Sequence, residues 1–72
     1  MDLTNLQEGQ KATITQINAD KALKERLLSF GVVRGEEVTL KSFSLGKQTV
    51  EIEVGSTLLA LRADEAKKIE VK

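Results

Sequence analysis

The spacing of apolar residues changes along this chain, and that change restricts the folds open to it. In the stretch TVEIEV, residues 49–54, apolar and polar residues alternate, as in a strand with one buried face. Between positions 20 and 30 the spacing widens to four and three, with Leu23, Leu27 and Phe30 on one stripe of an amphipathic helix. We therefore expect Phe30 to be buried, and we expect the chain to pack one helix against strands.

Strand patterns recur in four other segments. They are residues 10–17, 36–43, 57–62 and 69–71. Ile17 breaks the alternation of the first segment, so a bulge or a strand end is expected there. The segment 57–62 is apolar on both faces, so we expect it to be central or to lie at a closing seam. Five short strands, tight turns and one helix in 72 residues predict a single mainly β domain over residues 1–72, a small antiparallel barrel of five to six short strands.

The link between the helix and the next strand places two valines between two glycines, in the order Gly31-Val32-Val33-Arg34-Gly35. Gly31 is expected to end the helix in the left-handed conformation, which most residues resist. The residue after such a glycine packs back on the last helical turn, so Val32 is expected to meet Leu27. Gly35 suits the third position of a type II turn. The two valines therefore hold the helix against the barrel.

Charge and hydropathy argue against several classes of function. The chain has 11 basic and 11 acidic residues that are interspersed, whereas nucleic-acid-binding proteins usually carry a basic stripe. The longest apolar run, residues 58–61, is far shorter than the stretch of about 20 residues that a membrane span needs. We therefore expect no nucleic-acid partner and no direct membrane insertion. No signal peptide is visible, so a cytoplasmic location is expected.

Most side chains that carry enzyme chemistry are absent. The chain has no His and no Cys, which removes the usual transition-metal ligands and the common Ser–His and Cys–His nucleophiles. Its five glycines are widely spaced and form no phosphate-binding loop. With two Phe and neither Trp nor Tyr, the chain lacks the aromatic lining of a groove for proline-rich peptides. We therefore expect no catalytic residue, no cofactor and no metal site of the usual kind.

Carboxylates leave one alternative open. Glu51 and Glu53 share a strand face, and Glu36 and Glu37 follow a turn. Hard divalent cations prefer such oxygen ligands, so a carboxylate-based metal sensor is the alternative function. A solvated strand face that discourages edge pairing explains the same residues without a metal.

Three motifs follow one another over nearly the whole chain. They are an early Leu-x-x-Gly turn, a helix ending in Arg-Leu-x-x-Leu-Gly-Ile-x-x-Gly, and a strand with Ala-Leu-Arg that leads to an acidic residue, Ala and Ile. The matching residues here are Leu6, Gly9, Arg26, Leu27, Phe30, Gly31, Val32, Gly35, Ala60, Leu61, Arg62, Glu65, Ala66 and Ile69. Phe30 replaces the usual Leu. In this order the motifs resemble those of the FeoA family, small cytosolic accessory proteins of bacterial ferrous iron transport.

The resemblance implies an SH3-like β-barrel with one α-helix inserted after the first strand. It implies a partner, the membrane ferrous iron permease that carries a cytosolic GTP-binding domain, and it implies no enzymatic activity. The same domain occurs in iron-dependent transcriptional repressors, so an SH3-like module acting with such a repressor is a further alternative.

A protein that acts by docking needs exposed apolar side chains. Leu28 lies off the helix stripe and is expected to be partly exposed, while Phe43 and Leu45 lie where one strand ends and a hairpin loop begins. We expect these three residues to form the partner-binding surface. Arg26 and Arg62 match family positions, and we expect both to stabilise the fold. Self-association as a structural module is a third hypothesis.

Overall fold

The computed structural model describes residues 1–72, which form five strands and two short helices. In chain order the elements are a 3-10 turn (Leu3–Asn5), β1 (Lys11–Ile17), α1 (Lys21–Ser29), β2 (Glu37–Phe43), a second 3-10 turn (Leu45–Lys47), β3 (Thr49–Val54), β4 (Thr57–Arg62), α2 (Ala63–Ala66) and β5 (Ile69–Val71). These bounds confirm the mainly β prediction. Each strand begins and ends within one residue of its predicted bounds.

The strands form one antiparallel sheet in the order β4-β3-β2-β1-β5. Register shifts interrupt β1 between Ile14 and Gln16, and β2 between Leu40 and Ser42. Such bulges bend and twist a strand, which helps a small sheet to curl around a core. The irregularity expected at Ile17 lies slightly earlier in the chain, and β1 ends at Ile17.

The expected central position of β4 is wrong, because β4 is a terminal strand of the sheet. It pairs with β3 alone, and only Leu61 of its six residues is buried. A run of apolar residues does not distinguish a strand covered on both faces from an edge strand with an uncovered apolar face. β4 is the second kind.

Sixteen residues, all of them apolar, form one buried core. They are Leu3, Leu6, Ala12, Ile14, Leu23, Leu27, Val32, Val38, Leu40, Val50, Ile52, Val54, Leu61, Ala66, Ile69 and Val71. α1 contributes only Leu23 and Leu27 to this core. The helix is therefore attached to the sheet through one short stripe and through Val32, which follows it.

Both ends of α1 are capped, and the C-terminal cap is the one that the sequence predicts. At the N-terminus the Asp20 carboxylate accepts a hydrogen bond from the Leu23 N–H at 2.8 Å. At the C-terminus the Val32 N–H donates to the Leu27 carbonyl at 2.9 Å, and the Gly31 N–H donates to the Leu28 carbonyl at 3.0 Å. This pair of bonds defines a Schellman motif. Gly31 has a φ of 82°, which confirms the left-handed cap.

The turn after the cap also has the predicted form. Gly35 has a φ of 94°, and the Glu36 N–H donates to the Val33 carbonyl at 3.2 Å. Val32 is buried and Val33 is half-buried. The two valines therefore lie between the helix and the next strand, as expected.

The expectation that Phe30 is buried is wrong, because its side chain is 43% exposed. The helix ends at Ser29, and Phe30 is the cap residue with φ and ψ of −99° and 3°. The buried helical stripe therefore stops at Leu27, and the cap residue Phe30 lies outside the core. Val32 occupies the buried position at this end of the helix instead.

Candidate functional site

Leu28 projects from α1 with 62% of its surface exposed, as the helical spacing predicts. It lines a groove of about 400 Å³ between the helix, the end of β1 and the link that follows the helix. The other lining residues are Gln16, Ile17, Lys24, Val32, Val33 and Arg34. The lining is therefore mainly apolar, with two cationic side chains and no carboxylate.

Phe43 and Leu45 lie in the β2–β3 hairpin and do not line the groove beside Leu28. Phe43 is half-buried and packs against the core, and the Lys47 Nζ lies 5.1 Å from the centroid of its ring. This distance allows a cation–π interaction. Leu45 is fully exposed at the hairpin tip. The three predicted residues therefore belong to two parts of the surface, one on the helix and one on the hairpin.

A second groove, of about 710 Å³, runs between the end of α1 and β4. Its apolar residues include Phe30, Leu58 and Ala60, and its charged residues are Arg26, Arg62 and Glu65. Sequence reasoning did not identify Phe30 and Leu58 as surface residues. Alternation in β4 could have indicated that Leu58 is exposed. Successive side chains of a strand point to opposite faces, so burial of Leu59 and Leu61 predicts that Leu58 and Ala60 face outward.

An ion pair between two residues that line this second groove connects the two helices. The Arg26 Nη2 lies 2.9 Å from the Glu65 Oε2, and the Glu65 Oε1 accepts a hydrogen bond from the Arg62 N–H at 3.0 Å. Glu65 thus holds the end of β4 and the C-terminal half of α1 together. This contact joins Arg26 to α2, and the stabilising role expected from the sequence stays a prediction.

The acidic residues do not form a metal-ligand set. No three side chains of the His, Cys, Asp or Glu type are placed together to hold a metal ion. The Glu53 Oε1 lies 4.0 Å from the Lys41 Nζ, on the solvated face of the sheet. The arrangement therefore resembles the solvated strand face described above more than a carboxylate sensor.

Neither helix has the length and apolar character that crossing a membrane requires.

One curled antiparallel sheet with a helix between its first two strands is the architecture of a small SH3-like domain. The chain belongs to the FeoA family, since the family model described as the FeoA domain matches residues 1–72. The resemblance seen in the ordered sequence motifs is thereby confirmed.

Similar proteins cover nearly the whole chain. A Campylobacter jejuni protein named "Putative Fe(2+) transport protein A" is 45% identical over 71 residues, which span 99% of this chain and 96% of that protein. The solution structure of FeoA from Chlorobium tepidum has a TM-score of 0.93 and 32% identity, and the match covers 99% of this chain and 68% of that one. FeoA from Stenotrophomonas maltophilia, solved in complex with zinc and described as a prokaryotic SH3 domain protein, has a TM-score of 0.80 and 33% identity, covering 100% of this chain and 89% of that one.

Proposed function

We propose that this chain is a non-enzymatic, cytoplasmic accessory protein of ferrous iron uptake. It docks on the cytosolic part of the membrane ferrous iron permease, which contains a GTP-binding domain, and it modulates the assembly or activity of that permease. The observation that carries the proposal is the 45% identity, over 99% of this chain, to a protein named for Fe(2+) transport.

The surface of the molecule supports a role in docking. Leu28, Phe30, Leu45 and Leu58 are all large apolar side chains that are at least 43% exposed on a domain of only 72 residues. Apolar side chains that become buried between two proteins contribute most of the energy of association. We propose Leu28, Phe43 and Leu45 as residues that contact the permease.

The proposal predicts that isotope-labelled chain, titrated with the cytosolic part of the permease, shows amide shifts that saturate. The shifts are expected around Leu28 on α1 and around Phe43 and Leu45 on the hairpin, because these side chains lose contact with water. Adding the chain to the permease in membranes, with the rate of GTP hydrolysis as the readout, then measures the effect on its activity. An absence of amide shifts at high partner concentration contradicts the proposed function.

A matched pair of variants on α1 tests the predicted contact. Leu28→Ala is expected to raise the Kd by about 5-fold to 30-fold, the range for truncating an apolar anchor in an interface. Lys21→Ala is the control, because its side chain is 91% exposed and lines neither groove. Its Kd is expected to change by no more than about twofold. Equal Kd values for the two variants would remove Leu28 from the docking surface.

A further inference from the structure

The outer edge of β4 carries unpaired backbone groups at two positions. The turn between β3 and β4 has two residues, so its closing pair, Val54 and Thr57, exchanges both backbone hydrogen bonds. In an antiparallel ladder such pairs alternate with pairs that exchange none. Leu58 and Ala60 therefore direct their N–H and C=O groups away from β3, and no other hydrogen bond of the molecule uses them.

Two hydrogen bonds beyond the ladder support this alternation. The Ala63 N–H donates to the Gln48 carbonyl at 2.9 Å. Gln48 and Ala63 are the next pair that the alternation predicts to be hydrogen-bonded. The N–H of Arg62, which belongs to the outward-facing set, donates instead to the Glu65 carboxylate. The free edge therefore extends over Leu58 and Ala60 and is closed at Arg62.

The second groove lies along this free edge. Residues from both faces of β4 line it, including exposed Ala60 and buried Leu61, so the groove follows the edge of the strand. Phe30 lines it from the end of α1, and the paired residues Arg26 and Glu65 are also among its lining residues. An added strand in this position would pair with the backbone of β4 and bury apolar side chains against Leu58 and Phe30.

We propose that the edge of β4 accepts one extended segment of the permease's cytosolic part as an additional strand, an inference that rests on the proposed function. The unpaired N–H and C=O groups of Leu58 and Ala60, two positions apart, can pair with the backbone of an extended chain. A helical partner could not pair with them, because its backbone groups are already hydrogen-bonded within the helix. Arg62 is exposed and lies in no ion pair of the molecule. The segment therefore has apolar side chains at alternate positions and an Asp or Glu opposite Arg62.

Charge complementarity favours a foreign segment over a second copy of this chain. In a β4–β4 pair the strand opposite Arg62 would be TLLALR, which contains no carboxylate. The one acidic side chain in the groove, Glu65, is already bonded to Arg26 and to the Arg62 backbone. A second copy would thus leave two arginines without counter-charges beside the new ladder.

Ala60→Pro tests strand pairing directly, with Ala60→Val as the matched control. Proline removes the outward N–H and places its ring on the free edge, but it breaks no bond to β3 because Ala60 makes none there. Valine keeps the N–H and suits a strand. In titrations with the permease's cytosolic part, Ala60→Pro is expected to raise the Kd by at least about tenfold, since it blocks the ladder, and Ala60→Val by no more than about twofold.

Amide hydrogen exchange of the unaltered chain provides a second measurement that needs no variant to fold. On binding, exchange at Leu58 and Ala60 is expected to slow by at least about tenfold, because their N–H groups become bonded. Binding that leaves both amides unprotected, with equal Kd values for the two Ala60 variants, overturns the strand-pairing proposal and leaves the proposed function standing. No binding by the unaltered chain overturns both.

Discussion

Replacing Leu27 with alanine is expected to lower the free energy of unfolding by about 2–5 kcal/mol. Leu27 is 0% exposed, and it is one of only two residues through which α1 enters the core. The substitution removes buried apolar volume and leaves a cavity that the surrounding β structure fills only in part. A domain of this size has a total stability of about 4–10 kcal/mol. The melting temperature is therefore expected to fall by at least about 8 °C.

The neighbouring leucine provides the control for this prediction. Leu28→Ala removes the same atoms from the next position of the same helix, where the side chain is 62% exposed. The free energy of unfolding of the Leu28→Ala variant is expected to differ from that of the unaltered chain by no more than about 0.5 kcal/mol. Chemical denaturation of both variants measures the difference. Equal losses would mean that the helix is not anchored by the stripe that contains Leu27.

Replacing Gly31 with alanine is expected to destabilise the domain by more than about 1 kcal/mol. Gly31 has a φ of 82°, in the left-handed region where a Cβ atom is strained by its own backbone. No neighbouring atom lies within 4 Å of the position that the Cβ would occupy. The expected loss is therefore a property of the helix cap alone and not of crowding by other side chains.

Asparagine separates the backbone effect at Gly31 from a general sensitivity of this position. Asn adopts the left-handed conformation more readily than other residues that have a Cβ atom. Gly31→Asn is therefore expected to lose less stability than Gly31→Ala, in spite of its larger side chain. Thermal unfolding of both variants gives the comparison. An unaltered melting temperature for Gly31→Ala would contradict the Schellman cap.

The sequence predicts the strands and the C-terminal helix cap well because short-range rules determine them. Alternation of apolar residues defines the strand of residues 49–54, and the glycine pair defines where the helix stops. Phe30 shows where such rules fail. It continues the helical spacing by position, but the helix ends at Ser29 and Phe30 is the cap residue. A periodic pattern assumes that the helix continues, and a single capping residue is enough to make that assumption wrong.

The candidate surfaces could be predicted only in part. Exposure of Leu28 follows from its angle on the helix. The groove along β4, in contrast, depends on which strand is terminal, and an apolar run does not contain that information. The Arg26–Glu65 contact in the lining of this groove joins residues 39 positions apart. Contacts of that kind arise from the packing of the whole domain, and no local pattern in the sequence indicates them.

Docking on the permease is the central claim, and co-sedimentation with membranes tests it most directly. Purified chain is mixed with membranes that contain the ferrous iron permease and with otherwise identical membranes that lack it, in the presence and absence of GTP. We expect the chain to sediment with the permease-containing membranes alone, in at least one nucleotide condition, and Leu28→Ala to be retained less than Lys21→Ala. Equal amounts of the chain on both kinds of membrane, or none on either, would contradict the claim.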